Sequence, residues 1–431
     1  MALFENLWIW SIENIRKKLN WYYQVSVNKK PAKYLICKRL KCDINLKDSD
    51  EKQLWDEHER LSEEFLKLFE NVKSCKVNIK DIEIKKPSFL DLKVEITNRM
   101  LKSCEFCRWN CKIDRTKGEK FGTCQLDSIT RVSSYFHHRG EELPLRGTMG
   151  SGTIFFSSCN MRCAFCQNGD ISTDKYNGIP VNSKLLAQMM KQLRLEGVHN
   201  INLVGGEPTI HLHTIIEAIS YLADCDFNYN DHSYIASAYA DYFKYKLKKE
   251  YAMYEGEFNV PILWNSNFFM SEKTMKILRE VIDIWLPDFK FGSDKCAIKL
   301  ARTPWYFETV TRNHKLIYEW NENFLIRHLV MPNHVECCTK TVLKWIKYNM
   351  PDALVNIMYQ FHPDNYCDPF SKKFDIRYNI IARYPTKEEL IEAYNYAKEL
   401  NLDFIVVSFD KFIKNLDEEI EKIVDEVIIY R

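Results

Sequence analysis

Cys159, Cys163 and Cys166 stand in the run Cys-Asn-Met-Arg-Cys-Ala-Phe-Cys, a C-x3-C-x2-C loop. A cubane iron–sulfur cluster is normally held by four thiolates. Three thiolates on one short loop leave one iron without a protein ligand, and an open position distinguishes a catalytic metal site from a structural one. A small molecule with an amine beside a carboxylate can chelate that iron. The competing reading of these eight residues is a zinc knuckle short of one ligand. A second set, Cys104-x2-Cys107-x3-Cys111-x12-Cys124, offers four thiols, enough to close a metal shell. It reads as a structural zinc or single-iron site, or as an auxiliary cluster, and the spacing does not choose between them.

Gly205-Gly206-Glu207-Pro208 follows the apolar run Ile201–Val204. Glycines there permit close backbone approach to a ligand, and Glu207 can accept hydrogen bonds from an ammonium group. A three-cysteine loop followed by Gly-Gly-Glu-Pro at the next strand end resembles the radical S-adenosylmethionine (SAM) superfamily. From about Leu90 to Leu402 the chain is similar to its branch around pyruvate formate-lyase activating enzyme, and most of all to uncharacterised relatives. That resemblance implies a 4Fe-4S cluster on Cys159, Cys163 and Cys166, with the methionine amine and carboxylate of SAM on the open iron. It implies that Phe165 packs near the adenine and that Gly205, Gly206 and Glu207 hold the methionine amine. Asn265 and Asn267 would contact the nucleoside. Asp288 and Lys290 would lie at the carboxylate, Arg327 on the Arg-x-x-x-x-Pro strand, and His362 near the ribose. The relatives carry a cysteine set similar to Cys104, Cys107, Cys111 and Cys124.

The reaction so implied passes one electron from a low-potential cluster to the sulfonium of SAM, giving methionine and a 5′-deoxyadenosyl radical that abstracts hydrogen from a substrate. The first expectation for the substrate is a glycine of a partner protein, as for an activating enzyme. The alternative is direct modification of a small metabolite, peptide or RNA. A third reading, a non-catalytic iron–sulfur or zinc scaffold, is opposed by the open cluster loop and Gly205–Pro208. The C-x2-C-x3-C-x12-C spacing departs from the ferredoxin-type C-x2-C-x2-C-x3-C of glycyl-radical activases, which weighs against glycine activation. The electron donor expected is a ferredoxin or flavodoxin. Which substrate is used, and whether SAM is consumed or regenerated, is not written in the sequence.

The elements that must position these residues alternate. Strand-like runs are Thr153–Phe156, Ile201–Val204, Pro261–Trp264, Ile282–Leu286, Leu325–Met331, Val355–Tyr359 and Phe404–Ser408, with helical patterns between them such as Ser183–Glu196, capped by Ser183, and His211–Tyr221. The alternation predicts an α/β fold with a parallel sheet, and with the resemblance a partial (β/α)6-type TIM barrel whose reactive groups sit at strand C-termini. The organisation expected is an N-terminal accessory domain over 1–88, a Cys-rich metal-binding segment over 89–150, the barrel over 151–410 with an insertion at 224–259, and a C-terminal helix over 411–431. In the accessory region Tyr34–Cys37 reads as a short strand. Asp48 opens a helix running to Glu70 with Glu51 as capping-box partner, and His58 falls on its apolar stripe as a core residue. The insertion interleaves Tyr234, Tyr239, Tyr242, Phe243, Tyr245, Tyr251 and Tyr254 with Lys244, Lys246, Lys248 and Lys249. An amphipathic helix is favoured there over a single-strand nucleic-acid surface.

The chain of 431 residues is 46% hydrophobic and 28% charged, which excludes a disordered protein. Its net charge of +2 gives no support to a nucleic-acid partner. Of fifteen cysteines, seven lie in the two short-spaced sets, which predicts metal chemistry in a reducing, cytoplasmic compartment and not a disulfide framework. The other eight (Cys37, Cys42, Cys75, Cys225, Cys296, Cys337, Cys338 and Cys367) read as small buried hydrophobes, and adjacency alone does not make Cys337-Cys338 a redox pair. No apolar stretch is long enough for a membrane span, and Glu5 and Glu13 argue against a signal peptide. Between the cysteine sets, His137-His138-Arg-Gly-Glu141-Glu142 reads equally as a solvated turn or as acid–base groups reaching the barrel mouth.

Overall fold

The computed structural model describes residues 7–224, 249–410 and 416–429. Its strands in chain order are β1 (Thr130–His138), β2 (Ser151–Phe156), β3 (Ile179–Val181), β4 (Ile201–Gly205), the short pair β5 (Met253–Tyr254) and β6 (Glu257–Phe258), β7 (Ile262–Ser266), β8 (Ile284–Pro287), β9 (Ile326–Leu329) and β10 (Val355–Met358). β2, β4, β7 and β8 pair parallel, each to the next. The bridges Trp285–Phe324 and Asp288–Arg327 carry the series to β9, which pairs parallel with β10. β1 lies antiparallel on the outer edge of β2, and β3 on β1. Every residue of β7 and β8 is buried, as expected for a parallel sheet whose faces are both covered. This is the α/β partial barrel anticipated, six parallel strands in succession among the described residues.

The seventh strand expected, Phe404–Ser408, is instead a helical turn, Ile405–Phe409. Asp403 makes one parallel bridge to Leu354. The Ser408 Oγ then accepts from the Ile357 N–H at 2.9 Å, a side chain taking the place of the next ladder bond. Tyr34–Cys37 is likewise helical, within Lys33–Cys37. All five residues are buried, so the run is apolar in every direction and neither period shows. The long accessory helix is Glu51–Lys73, and its capping box uses Asp50 and Gln53, not Asp48 and Glu51. Asn182, not Ser183, caps the helix Ser183–Leu195, accepting from the Leu185 N–H at 2.9 Å.

Residues before about 88 share their core with the barrel. Ile9, Trp10, Ile15, Leu19 and Tyr22 pack against Leu263, Ile284, Leu286 and Leu325. Asp283, just ahead of β8, accepts from the Trp21 indole at 2.9 Å, the Lys33 N–H at 3.1 Å and the Ile262 N–H at 3.0 Å. Lys33 pairs with Glu322 at 2.6 Å, both nearly sealed from solvent. Asp283, Ile284, Glu322 and Leu325 lie at or shortly before the starts of β8 and β9, so the N-terminal segment closes the end opposite the reactive loops. His58 is buried as expected. Its Nε2 lies 2.9 Å from the Lys93 ammonium, which pairs with Glu280 at 2.8 Å. Removing one partner of so buried an ion pair typically costs about 3–5 kcal/mol.

Of the insertion, Tyr234, Tyr239, Tyr242, Phe243, Tyr245, Lys244, Lys246 and Lys248 lie outside the described residues, as does Cys225. Tyr251 is exposed, and Tyr254 sits in the β5–β6 pair. No helix among the described residues is long and apolar enough to cross a membrane.

Candidate active site

The cysteine loop leaves the C-terminal end of β2. Its path is set by the neighbouring Gly205 and Gly206. A Cβ on Gly205, which has φ of +120°, would lie 2.2 Å from the Phe156 nitrogen, and one on Gly206 only 1.7 Å from the Ser158 carbonyl oxygen. These glycines therefore serve contact between two strand ends, besides facing the cavity. The loop is pinned further by backbone N–H groups of Arg162 and Ala164 donating to Ala301 and Leu300, at 3.1 and 2.8 Å. The Trp109 indole donates to the Asn160 carbonyl at 2.7 Å, tying the Cys-rich segment to the same loop.

Cys159, Cys163 and Cys166 all line one cavity of about 510 Å³. Burial pushes all three thiols up, Cys163 to about 12. Thiols so disfavoured as anions ionise readily only against a bound cation, and metal binding supplies one. The Met161 N–H already donates to the Cys159 Sγ at 3.3 Å, and the Asn267 amide lies 3.6 Å from it.

The other strand ends complete the wall. Phe165, Gly205, Gly206, Glu207, Asn265, Asn267, Asp288, Lys290 and Arg327 all face the same cavity. Glu207 is buried, and burial raises its carboxyl. Its oxygens accept from the Thr209 N–H at 3.1 Å, the Ser266 hydroxyl at 2.7 Å and the Asn267 N–H at 2.9 Å. It thus orients the end of β7 as well as facing the cavity. Asp288 pairs with Lys290 and receives the Arg327 Nε at 2.9 Å. Against the burial that would raise it, those two cations hold the Asp288 carboxyl low.

His362 is not among the residues lining this cavity. It is partly exposed and pairs with Asp364 at 2.8 Å. Glu141 and Glu142 are brought in: both are buried and line the cavity with His138. Glu142 accepts from the Asn356 amide at 3.0 Å, while its other oxygen has no partner within the protein. Burial and the adjacent Glu141 charge push Glu142 well above the usual carboxylate range. Glu141, though buried, is held low by hydrogen bonds with His138 and Glu142 and by the charge of Arg327. The two adjacent carboxyls are thus pushed apart, Glu142 up and Glu141 down. His137 turns away, bonding Glu196 at 2.8 Å.

Cys104, Cys107, Cys111 and Cys124 also come together, around a separate space of about 10 Å³. Two backbone bonds, from the Cys104 N–H to the Ile113 carbonyl and from the Lys112 N–H to the Cys104 carbonyl, fold the first knuckle. Gly122 is required beside it, since a Cβ there would lie 2.7 Å from the Cys111 Sγ. The buried Arg115 guanidinium reaches to 4.0 Å from the Cys104 Sγ. A third grouping was not legible in the sequence. Cys296, His334 and Cys337 place one ligand atom each within 4.8 Å of one another, although Cys296 and Cys337 read as ordinary buried hydrophobes and Cys337 is in fact exposed.

Residues 153–346 match the Radical SAM superfamily. The uncharacterized protein MJ0674 of Methanocaldococcus jannaschii is 35% identical over 394 residues, 90% of this chain and 99% of its own length. Among solved structures, Streptococcus suis SuiB bound to its precursor peptide SuiA overlaps 58% of this chain at 14% identity with a TM-score of 0.38, and the chain spans about half of SuiB, 47%. A domain of pyruvate-formate lyase-activating enzyme from Bacteroides vulgatus overlaps 34% of this chain and 80% of its own length, at 13% identity and a TM-score of 0.26. With its cysteine loop on the first strand of a parallel partial barrel and its match to that family, the chain belongs to the radical SAM superfamily, whose enzymes work with a 4Fe-4S cluster and SAM.

Proposed function

We propose that Cys159, Cys163 and Cys166 hold the 4Fe-4S cluster and that the remaining cavity wall binds SAM for hydrogen abstraction from a substrate. The observation that carries this reading is that three thiols from one loop, and polar groups from the next four strand ends, face a single cavity of about 510 Å³. The donor set suits the cluster, because three thiols leave one coordination position unfilled by protein. When bound, the cluster supplies a single low-potential electron to the sulfonium of SAM. The residues of the chain bind, orient and exclude water. Phe165 offers a ring beside the third thiol. Gly205, Gly206, Glu207, Asp288 and Lys290 surround the position for the amino-acid end, Asn265 and Asn267 that for the nucleoside, and Arg327 holds Asp288 in place. His362, outside the cavity wall, reaches the ribose only if the loop around it moves. The four-cysteine set is the better fit to a closed structural metal centre, since its enclosed space leaves no room for a further ligand.

The cavity must hold SAM and the reacting part of the substrate together, so the substrate enters as a small molecule or an extended peptide loop. Glycine activation in a partner protein requires such a loop. Glu142 favours the wider class of substrates with an amine, amide or hydroxyl group, since its buried second oxygen faces the cavity with no partner from the protein. A ferredoxin or flavodoxin serves as reductant. Anaerobic reconstitution, reduction and addition of SAM should yield 5′-deoxyadenosine. Its absence from protein with a full cluster, with and without cell extract as a source of substrate, would remove the enzymatic reading.

A further inference from the structure

Cys296 and Cys337 are 41 residues apart in sequence, yet their Sγ atoms lie 3.7 Å apart. Two thiolates bound to one tetrahedral zinc ion, at about 2.3 Å each, stand about 3.8 Å apart. A ring nitrogen of His334 joins them, all three ligand atoms falling within 4.8 Å of one another. None of the three lines the barrel cavity.

The surroundings are built for the contact. Cys296 occupies the first turn of the helix Asp294–Ala301, where the Ser293 cap accepts its N–H. Cys337 lies on a π-helical turn, Val335–Lys340, ahead of the helix Thr341–Asn349. Such turns are rare and concentrate at functional sites. Gly292 lets the two segments close, because a Cβ there would lie 2.3 Å from the Cys337 carbonyl oxygen. His334 is buried, and its Nδ1 lies 3.0 Å from the Pro332 carbonyl oxygen. A proton on Nδ1, shared with that carbonyl, leaves the lone pair on Nε2, the arrangement common for metal-binding histidines. Cys338 places a further thiol beside them, its Sγ 4.0 Å from that of Cys337.

We propose that Cys296, His334 and Cys337, completed by Cys338, form a further metal site that takes a zinc-type divalent cation. Two or three thiolates and one imidazole are the donors a borderline-soft ion prefers, and binding releases the thiol protons. The ion ties the loop after β8 to the turn after β9. These segments follow Lys290 and Arg327, so the site braces that side of the cavity from outside. The inference is independent of what the three barrel cysteines bind.

The test is metal analysis of the full-length protein, purified anaerobically and equilibrated with zinc, beside His334→Ala, Cys296→Ser and Cys337→Ser. Cys337 is exposed, so its replacement by serine leaves the fold intact. The expected result is one zinc equivalent fewer per chain in each variant, with iron content unchanged. Cobalt loading of the wild type should give the absorption of a tetrahedral thiolate site, reduced in the variants. Equal zinc in wild type and Cys337→Ser would overturn the proposal, as would a Cys296–Cys337 disulfide recovered from protein exposed to zinc.

Discussion

Cys159, Cys163 and Cys166 face about 510 Å³ of space, whereas Cys104, Cys107, Cys111 and Cys124 enclose about 10 Å³. The donor chemistry is the same and the room differs. Around the first set stand carboxylates, amides and two cations on strand ends. The second is packed by Phe106, Trp109, Ile113 and Ile210, with one buried arginine. Space decides what a thiol set can do, because a site closed by its own chain has nowhere to admit a reactant. This contrast supports the roles proposed for them, turnover for one set and stability for the other.

The largest effect expected is from replacing any one of Cys159, Cys163 or Cys166 by alanine. Formation of 5′-deoxyadenosine should fall roughly a thousand-fold or more, while the melting temperature changes little. A large loss of stability with retained turnover would reverse the assignment. Next is Gly206→Ala, whose Cβ would collide with the Ser158 carbonyl. Iron in the barrel set should drop with the metal of the four-cysteine set retained, as read by iron analysis and by the melting curve. Cys104→Ser should do the opposite, lowering stability by roughly 3 kcal/mol or more in denaturant titration, with SAM cleavage surviving in the protein that remains folded.

The smallest effect serves as a control that involves neither thiol set. Burial raises the Asp283 carboxyl to about 6. A raised acid binds its proton more tightly in the folded state, so its stabilising contribution is complete below pH 3.8 and lost as pH rises through 6. The difference in stability between wild type and Asp283→Asn should therefore shift by about 3 kcal/mol across that window. Metal content should not follow it. A pH-independent difference would show that Asp283 titrates normally.

The strands were legible because short apolar runs ended in Gly-Gly-Glu, Asn-Ser-Asn and Pro-Asp, polar groups that a buried sheet tolerates only at its rim. Phe404–Ser408 has the same composition, but the fold uses the Ser408 hydroxyl in place of a ladder bond, a choice no local pattern encodes. Glu141 and Glu142 looked as much like a solvated turn as a cavity wall, because the pairing of β1 with β2 on either side of them, and not their own spacing, sets them at the cavity. Cys296 and His334 were invisible as partners. Their meeting depends on two neighbouring strands and on a π-helical turn, and no short spacing records it.

The closure of the barrel by the N-terminal segment bears on how the chain is made. Trp21 meets Asp283 across 262 positions and Lys33 meets Glu322 across 289. At ribosomal rates of roughly 5–20 residues per second, the first segment waits on the order of tens of seconds for its seat to be synthesised. Through that interval Ile9, Trp10, Leu19 and Tyr22 have no barrel to cover them, and their apolar surface stays open until β8 and β9 emerge.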